Sequence, residues 1–306
     1  MIMTDFYGKR KIYYIISALL MIIGIVFLFV NGVKLDITFS GGAKVTYGYT
    51  GNQIDTTQTE ALVRETLKRD ATVQNATGYE NNDSALVISF SGTESLTTED
   101  QQNLYNALNK KYPENKIQQG STTNVEASIG HRFLVNGLIA IGLAAIFIIL
   151  YVTLRFKVVS GFTAAMTALI ALVHDIALVF FVFVVFNIPI NDGFIAVVLT
   201  ILGYSINDTL VIFDRVRENK KLAGNKAIAP DELVNKSIKQ SITRTLNTSL
   251  MSIVALVLVL VFGYIKGISS IVNFALPMMV GIISGCYSSS LLAPTIWCSF
   301  KMKKNK

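Results

Sequence analysis

The stretch GFIAVVLTILGYSINDTLVIF, residues 193–213, is apolar for long enough to cross a bilayer, yet it carries Asn207 and Asp208. A transmembrane helix needs about 20 residues. A carboxylate near mid-bilayer costs about 2.5–3.5 kcal/mol on insertion scales, so Asp208 asks for a reason. Thr200, Tyr204, Asn207 and Asp208 recur at helical spacing. They form one polar stripe, expected to face the interior of a helix bundle. On this reading Asp208 is a protonatable group on an ion path. The plainer alternative is a carboxylate that snorkels to the surface or caps a neighbouring helix.

Five further apolar stretches of similar length lie at 12–30, 133–152, 161–186, 245–265 and 270–300. The fold class that follows is a polytopic α-helical membrane protein with six transmembrane helices. The third and sixth spans are longer than the bilayer needs, which implies tilt or kinks, with Pro277 and Pro294 as kink sites in the sixth. The first span follows Lys9-Arg10-Lys11, exceeds the 7–15 apolar residues of a signal peptide and lacks a small-residue cleavage site, so an uncleaved anchor is expected. The chain is 52% apolar and 15% charged. Its charges crowd between residues 33 and 127, whereas a soluble protein spreads charge over every surface element. The net charge of +7 sits mostly beside the apolar runs, where it serves orientation, and nucleic acid is not expected as a partner. Cys286 and Cys298 fall on one helix about 18 Å apart, too far to bridge.

Basic residues set the topology. Lys9 to Lys11, then Arg155 with Lys157, the basic link from Arg215 to Arg244, and the tail from Lys301 all fall on one side when six spans are counted. The expected organisation is a cytoplasmic N-terminus and first span over 1–32, an extracytoplasmic domain over 33–132, and a five-helix membrane region over 133–300. That region contains a cytoplasmic link over 214–244 and is followed by a basic cytoplasmic tail over 301–306. Within the link, Leu233, Val234 and Ile238 suggest a helix lying on the membrane surface.

Inside 33–132 the period changes. Residues 35–39 and 43–49 read as strands around the Gly41-Gly42 turn. Thr57 to Glu60 has the spacing of a capping box, with a helix after it. Strands near 72–79 and 85–90 flank an Asn- and Asp-rich turn, a second capped helix starts near Thr97, and a last strand covers 116–125. The order after the opening hairpin is compatible with an α+β ferredoxin-like domain between helices 1 and 2. No nucleophile–base pair, phosphate loop or metal-ligand spacing appears, so no enzyme, cofactor or metal is expected.

Two other polar sites stand in the spans. Ser241, Arg244, Asn247 and Thr248 share a face of the fifth, and the opposed directions of the fourth and fifth put Arg244 at the depth of Asp208. The two can pair, or part when Asp208 takes a proton; the alternative is an Arg that anchors at the head groups. His174-Asp175 lie halfway through the third span, and successive side chains on a helix diverge by about 100°. They are expected to reach different neighbours, one as a structural hydrogen-bond partner and the other as a relay member.

The run Gly203-Tyr204-Ser205-Ile206-Asn207-Asp208-Thr209, followed by Phe213-Asp214-Arg215-Val216-Arg217-Glu218-Asn219, resembles the signature of the SecF family of bacterial protein-export subunits. Ala171-Leu172-Val173-His174-Asp175, Tyr151 with Arg155-Phe156, and Arg244-Thr245-Leu246-Asn247-Thr248-Ser249 are also similar to it. One departure is visible: the family opens its outer domain with Asp-Phe-Thr-Gly-Gly, and here Thr38 stands at the Asp position, with Asp36 two residues earlier. The resemblance implies the resistance-nodulation-division architecture in the bacterial plasma membrane, with both termini cytoplasmic. It implies SecD, the SecYEG translocon and the translocating preprotein as partners, with YajC a candidate further one. It implies a proton or sodium gradient that promotes late steps of translocation, and a proton pathway of Asp208, Arg244, Asp175, His174 and Asn207. The rivals are half of a small-molecule or lipid exporter of the same superfamily, a passive translocon scaffold, and an intramembrane enzyme using Asp175 and Asp208.

Overall fold

The computed structural model describes residues 5–79, 83–91, 96–224, 228–266 and 268–304. The centre of the Asn-rich turn at 80–82, Lys226 of the basic link and Lys306 of the tail lie outside the described residues.

Helix α1 (Arg10–Asn31) is apolar around its whole circumference and leaves Ile15, Ile22 and Phe29 exposed, as a lipid-facing span requires. After it comes a single helical turn, α2 (Ile37–Ser40), where alternation at Leu35, Ile37 and Phe39 suggests a strand. The reason is local. The Asp36 carboxylate accepts from the Thr38 N–H at 3.0 Å and from its hydroxyl at 2.6 Å, which caps a helix rather than extending a strand. Gly41 then ends the turn at φ 73°, a conformation that favours glycine.

The rest of the domain between the first and second spans runs β1 (Gly42–Tyr49), α3 (Thr56–Leu67), β2 (Thr72–Tyr79), β3 (Asp83–Ser91), α4 (Thr98–Lys111) and β4 (Gln118–Val125). The strands form one antiparallel sheet in the order β2-β3-β1-β4. Its inner face supplies Val45, Tyr47, Leu86, Ile88 and Phe90, packed under Val63 of α3 and Leu104 and Leu108 of α4. Burial pushes the Tyr47 phenol up to about 12. The N-cap of α3 is Asp55, which accepts from the Thr57 and Gln58 N–H groups, and not Thr57; Glu60 instead takes the Val73 N–H. Thr97 and Asp100 form the reciprocal capping box of α4.

The membrane region comprises α5 (Ala127–Arg155), α6 (Gly161–Val185), α7 (Asp192–Leu222), α8 (Pro230–Ile265) and α9 (Ser269–Tyr287). A π-helical turn, Ser288–Leu292, joins α9 to α10 (Ala293–Lys304). Among the described residues six helices are long and apolar enough to cross a membrane, α9 and α10 counting as one. The distortion of the sixth falls beside Pro294, whose missing N–H and ring disfavour a regular turn.

The link between the fourth and fifth spans is mostly helical: α7 continues through Asp214 to Leu222, and α8 starts at Pro230. One expectation about it fails. Leu233, Val234 and Ile238 do not lie on the membrane surface. They are buried with Phe213, Val216 and Trp297 in the core at the end of the bundle where α7 and α8 join. The cause is the absence of any Gly or Pro between Pro230 and Gly263, which lets one helix run through the change in polarity.

Candidate functional site

Where α6, α7, α9 and the π turn meet, the bundle is sealed around Asp175, which has no exposed surface. Both carboxylate oxygens are occupied. Ser205 on α7 and Ser288 in the π turn each donate to Oδ2 at 2.7 Å, and Ser284 on α9 donates to Oδ1 at 2.5 Å. His174 Nδ1 lies 3.2 Å from Oδ1. His174 and Asp175 thus touch each other while also reaching different neighbours, the serines for Asp175 and the Tyr287 ring at 6.1 Å for the imidazole. Tyr287 in turn donates to the Tyr13 carbonyl of α1 at 2.6 Å and shares a 3.0 Å hydrogen bond with Ser17. The His174 Nε2 is buried without a partner.

The same serines reach the Asp208 turn. Ser289 donates to the Ser205 carbonyl at 2.8 Å, and the Thr209 hydroxyl donates to Ser289 at 2.8 Å. Asp208 itself is 3% exposed and its Oδ2 has no hydrogen-bond partner. Arg244 is close enough for its charge to act on Asp208, but the two form no direct ion pair among the described residues. Arg244 is exposed on the flank of the bundle.

The α7 stripe expected to face inward is split: Ser205, Asp208 and Thr209 turn inward while Thr200 and Asn207 face outward. On α8, Arg244, Asn247 and Thr248 share an outward face as expected, but Ser241 turns inward with Thr245 and Ser249. Neighbouring positions differ by about 100°, so one band cannot hold Asn207 and Asp208 on the same face. Sequence reasoning missed Ser205, Ser284, Ser288 and Ser289 as site residues. The signal available was Ser288-Ser289-Ser290, one turn beyond Ser284, in an apolar helix.

The junction of α7 with α5 and α8 is fixed by charge and by buried amides. Asp214 accepts from Arg155 at 3.2 Å and pairs with Arg217 at 2.6 Å, and Lys220 donates to the Val158 carbonyl at 2.8 Å. Buried Asn219 ties α7 to α8 through Ser237 and Gln240. Among the described residues no group of His, Cys, Asp or Glu is arranged to hold a metal ion.

The family described as "Protein export membrane protein SecD/SecF, C-terminal" matches residues 104–303. The chain is 34% identical over 306 residues to the protein translocase subunit SecDF of Bacillus subtilis, covering 99% of this chain and 39% of that protein. It is 30% identical over 287 residues to the protein translocase subunit SecF of Calditerrivibrio nitroreducens, covering 93% and 90%. Among solved structures, it resembles SecDF from Thermus thermophilus, a translocon-associated membrane protein, with TM-score 0.80 and 27% identity. That match covers all of this chain and 39% of the other. Against SecDF in a super-membrane-facing form the TM-score is 0.64 at 26% identity, covering 100% of this chain and 40% of the other. The chain thus spans about two fifths of the SecDF proteins it matches and most of the shorter SecF relative.

Proposed function

The chain belongs to the SecD/SecF family of protein-export membrane proteins, and from that premise we propose that it is the SecF subunit of a gradient-driven export machine. With SecD it draws preproteins through SecYEG in the late steps of translocation, using protons or sodium ions, with YajC as an accessory partner. The N- and C-termini lie in the cytoplasm and the sheet domain lies outside. That domain is read as ferredoxin-like, supported by the order β2-β3-β1-β4 with α3 and α4 on one face.

The observation that carries the reading is the state of Asp208: a carboxylate buried in a membrane helix with one oxygen unpartnered, and an unpaired guanidinium on the adjacent helix. Such a pair has two discrete states, ion-paired or neutralised by a proton. One charge moved through 100 mV supplies about 2.3 kcal/mol, enough to bias a bistable bundle. Asp175, already bound by three hydroxyls, fits a hub that transmits the change to the last span, with His174 beside it. Asn207 and Arg244 stand on the exposed flank, where polar side chains against lipid are costly. That flank therefore suits the SecD half.

The test is Asp208→Asn in cells, with preprotein export followed by pulse–chase with and without an uncoupler. The expected outcome is slow export that the uncoupler no longer slows further. Full export in the variant would leave a passive scaffold as the better reading.

A further inference from the structure

The open face of the sheet does not look into free solvent. It faces the outer ends of α6, α7 and α9, and between them lie two adjoining cavities of about 420 and 580 Å³. Gln74 on β2 and Asn273 on α9 line both, so the cavities are lobes of one cleft divided by this pair. Its polar lining is dominated by amides. Gln53 and Asn187 join the pair in the larger lobe and Asn191 in the smaller. Among the described residues none of these five side chains hydrogen-bonds to the protein.

Of the four charged side chains that line the cleft, three are occupied, and Asp192 in the first turn of α7 has no ion pair among the described residues. Asp36 pairs with Lys44 at 3.6 Å while capping α2, and Asp55 caps α3. Val87, Phe186 and Phe274 stand between the polar groups as apolar surface. A side-chain amide offers one acceptor and a donor group, the same complement as a peptide unit. Amides on opposite walls therefore match a main chain, and apolar patches between them accept alternating side chains without reading them.

We propose that this cleft binds an extended segment of polypeptide through its main chain. The proposal rests on the protein-export reading and deepens it, since a machine serving many preproteins needs a grip independent of side-chain sequence. The segment lies between the sheet and the outer membrane surface, where a movement of the helices beneath reaches it directly.

The experiment uses the assembled complex in membranes and a preprotein arrested during translocation. A benzophenone amino acid replaces Gln74 or Asn273, with Gln102 on the solvent side of α4 as the control. Assembly with SecD is checked before irradiation, and Gln53 at the exposed rim serves as a further position if an inner substitution does not assemble. Cross-links to the arrested chain are expected from the cleft positions and not from Gln102. They are expected to survive a change in the charge of the arrested segment and to be lost when it becomes a run of prolines, which lack the N–H. Cross-links to SecD alone, cross-links indifferent to proline, or none at all would overturn the proposal. Export in cells depleted of the chain is measured alongside. Slowed export without cleft cross-links removes only the cleft, whereas unchanged export removes the export reading with it.

Discussion

Removing an acceptor from a buried cluster strands every donor that faced it, at about 1–3 kcal/mol each. Asp175→Ala removes the acceptor at 2.5–2.7 Å from Ser205, Ser284 and Ser288, leaving them only the longer contacts to Ser289, His174 and the Gly285 carbonyl at 3.1–3.5 Å. It is expected to lower the thermal unfolding temperature of the purified protein by several degrees. Asp208→Asn strands no donor and keeps the shape of the side chain, so it is expected to leave unfolding unchanged while gradient-driven export is lost. Fluorescence-detected unfolding and pulse–chase export on both variants check the contrast; equal destabilisation would contradict it. A second residue-scale outcome concerns Tyr47. Its phenol titrates at about 12 instead of 10.0, so the folded protein keeps the proton longer than the unfolded chain. The stabilisation is complete below pH about 10 and is lost as pH rises to about 12, a change of about 2–3 kcal/mol. Alkaline unfolding of the whole protein, with Tyr47→Phe as the comparison, measures it. Asp208 was legible in the sequence because a carboxylate in an apolar run is costly. The serines around Asp175 were not, since a serine in a membrane helix reads as a small packing residue until the crossing of the helices shows what its hydroxyl meets.

At the scale of elements, the tight crossing of α9 over α6 and α7 depends on missing side chains. A Cβ at Gly281 would come 2.7 Å from the Ile201 side chain and 2.8 Å from Val179, and one at Gly285 would come 3.1 Å from Ser205 Cβ. Gly281→Leu is therefore expected to push α9 away and destabilise the bundle by about 1–3 kcal/mol or more. Gly142→Leu on α5, where a Cβ meets nothing within 4 Å, is expected to change stability little. Unfolding temperatures of the two variants test the difference. The Gly281-x-x-x-Gly285 spacing is a pattern that lets helices approach closely, but it does not say against what. Helix ends were harder to read. The apolar span stops at Phe213, but helix continuity is set by breakers, and none occurs between Asp214 and Leu222, so the helix outruns the span. The short helix α2 was lost for the opposite reason: alternation over five residues suits a strand, and one capping carboxylate outweighs it.

For the molecule as a whole, the six spans and the intervening domain follow from two unlike periodicities, which is why they could be read before any coordinates. Orientation is the remaining whole-molecule expectation. In a chain whose two cysteines have been replaced, Gln102→Cys is expected to react with an impermeant maleimide in intact spheroplasts, and Lys221→Cys only after the membrane is opened. Reversed labelling would invert the topology. The length of α8 has a consequence of its own. It runs unbroken for 36 residues, about 54 Å at 1.5 Å per residue, against a hydrocarbon layer about 30 Å thick. Its N-terminal end packs beside α7 and α10, and its C-terminal end stops just before the turn that leads to Asn273. A rod of that length pivoting by about 10° at its middle carries each tip about 5 Å. Because no Gly or Pro interrupts the helix between Pro230 and Gly263, a displacement of one tip swings the other the opposite way, as on a seesaw.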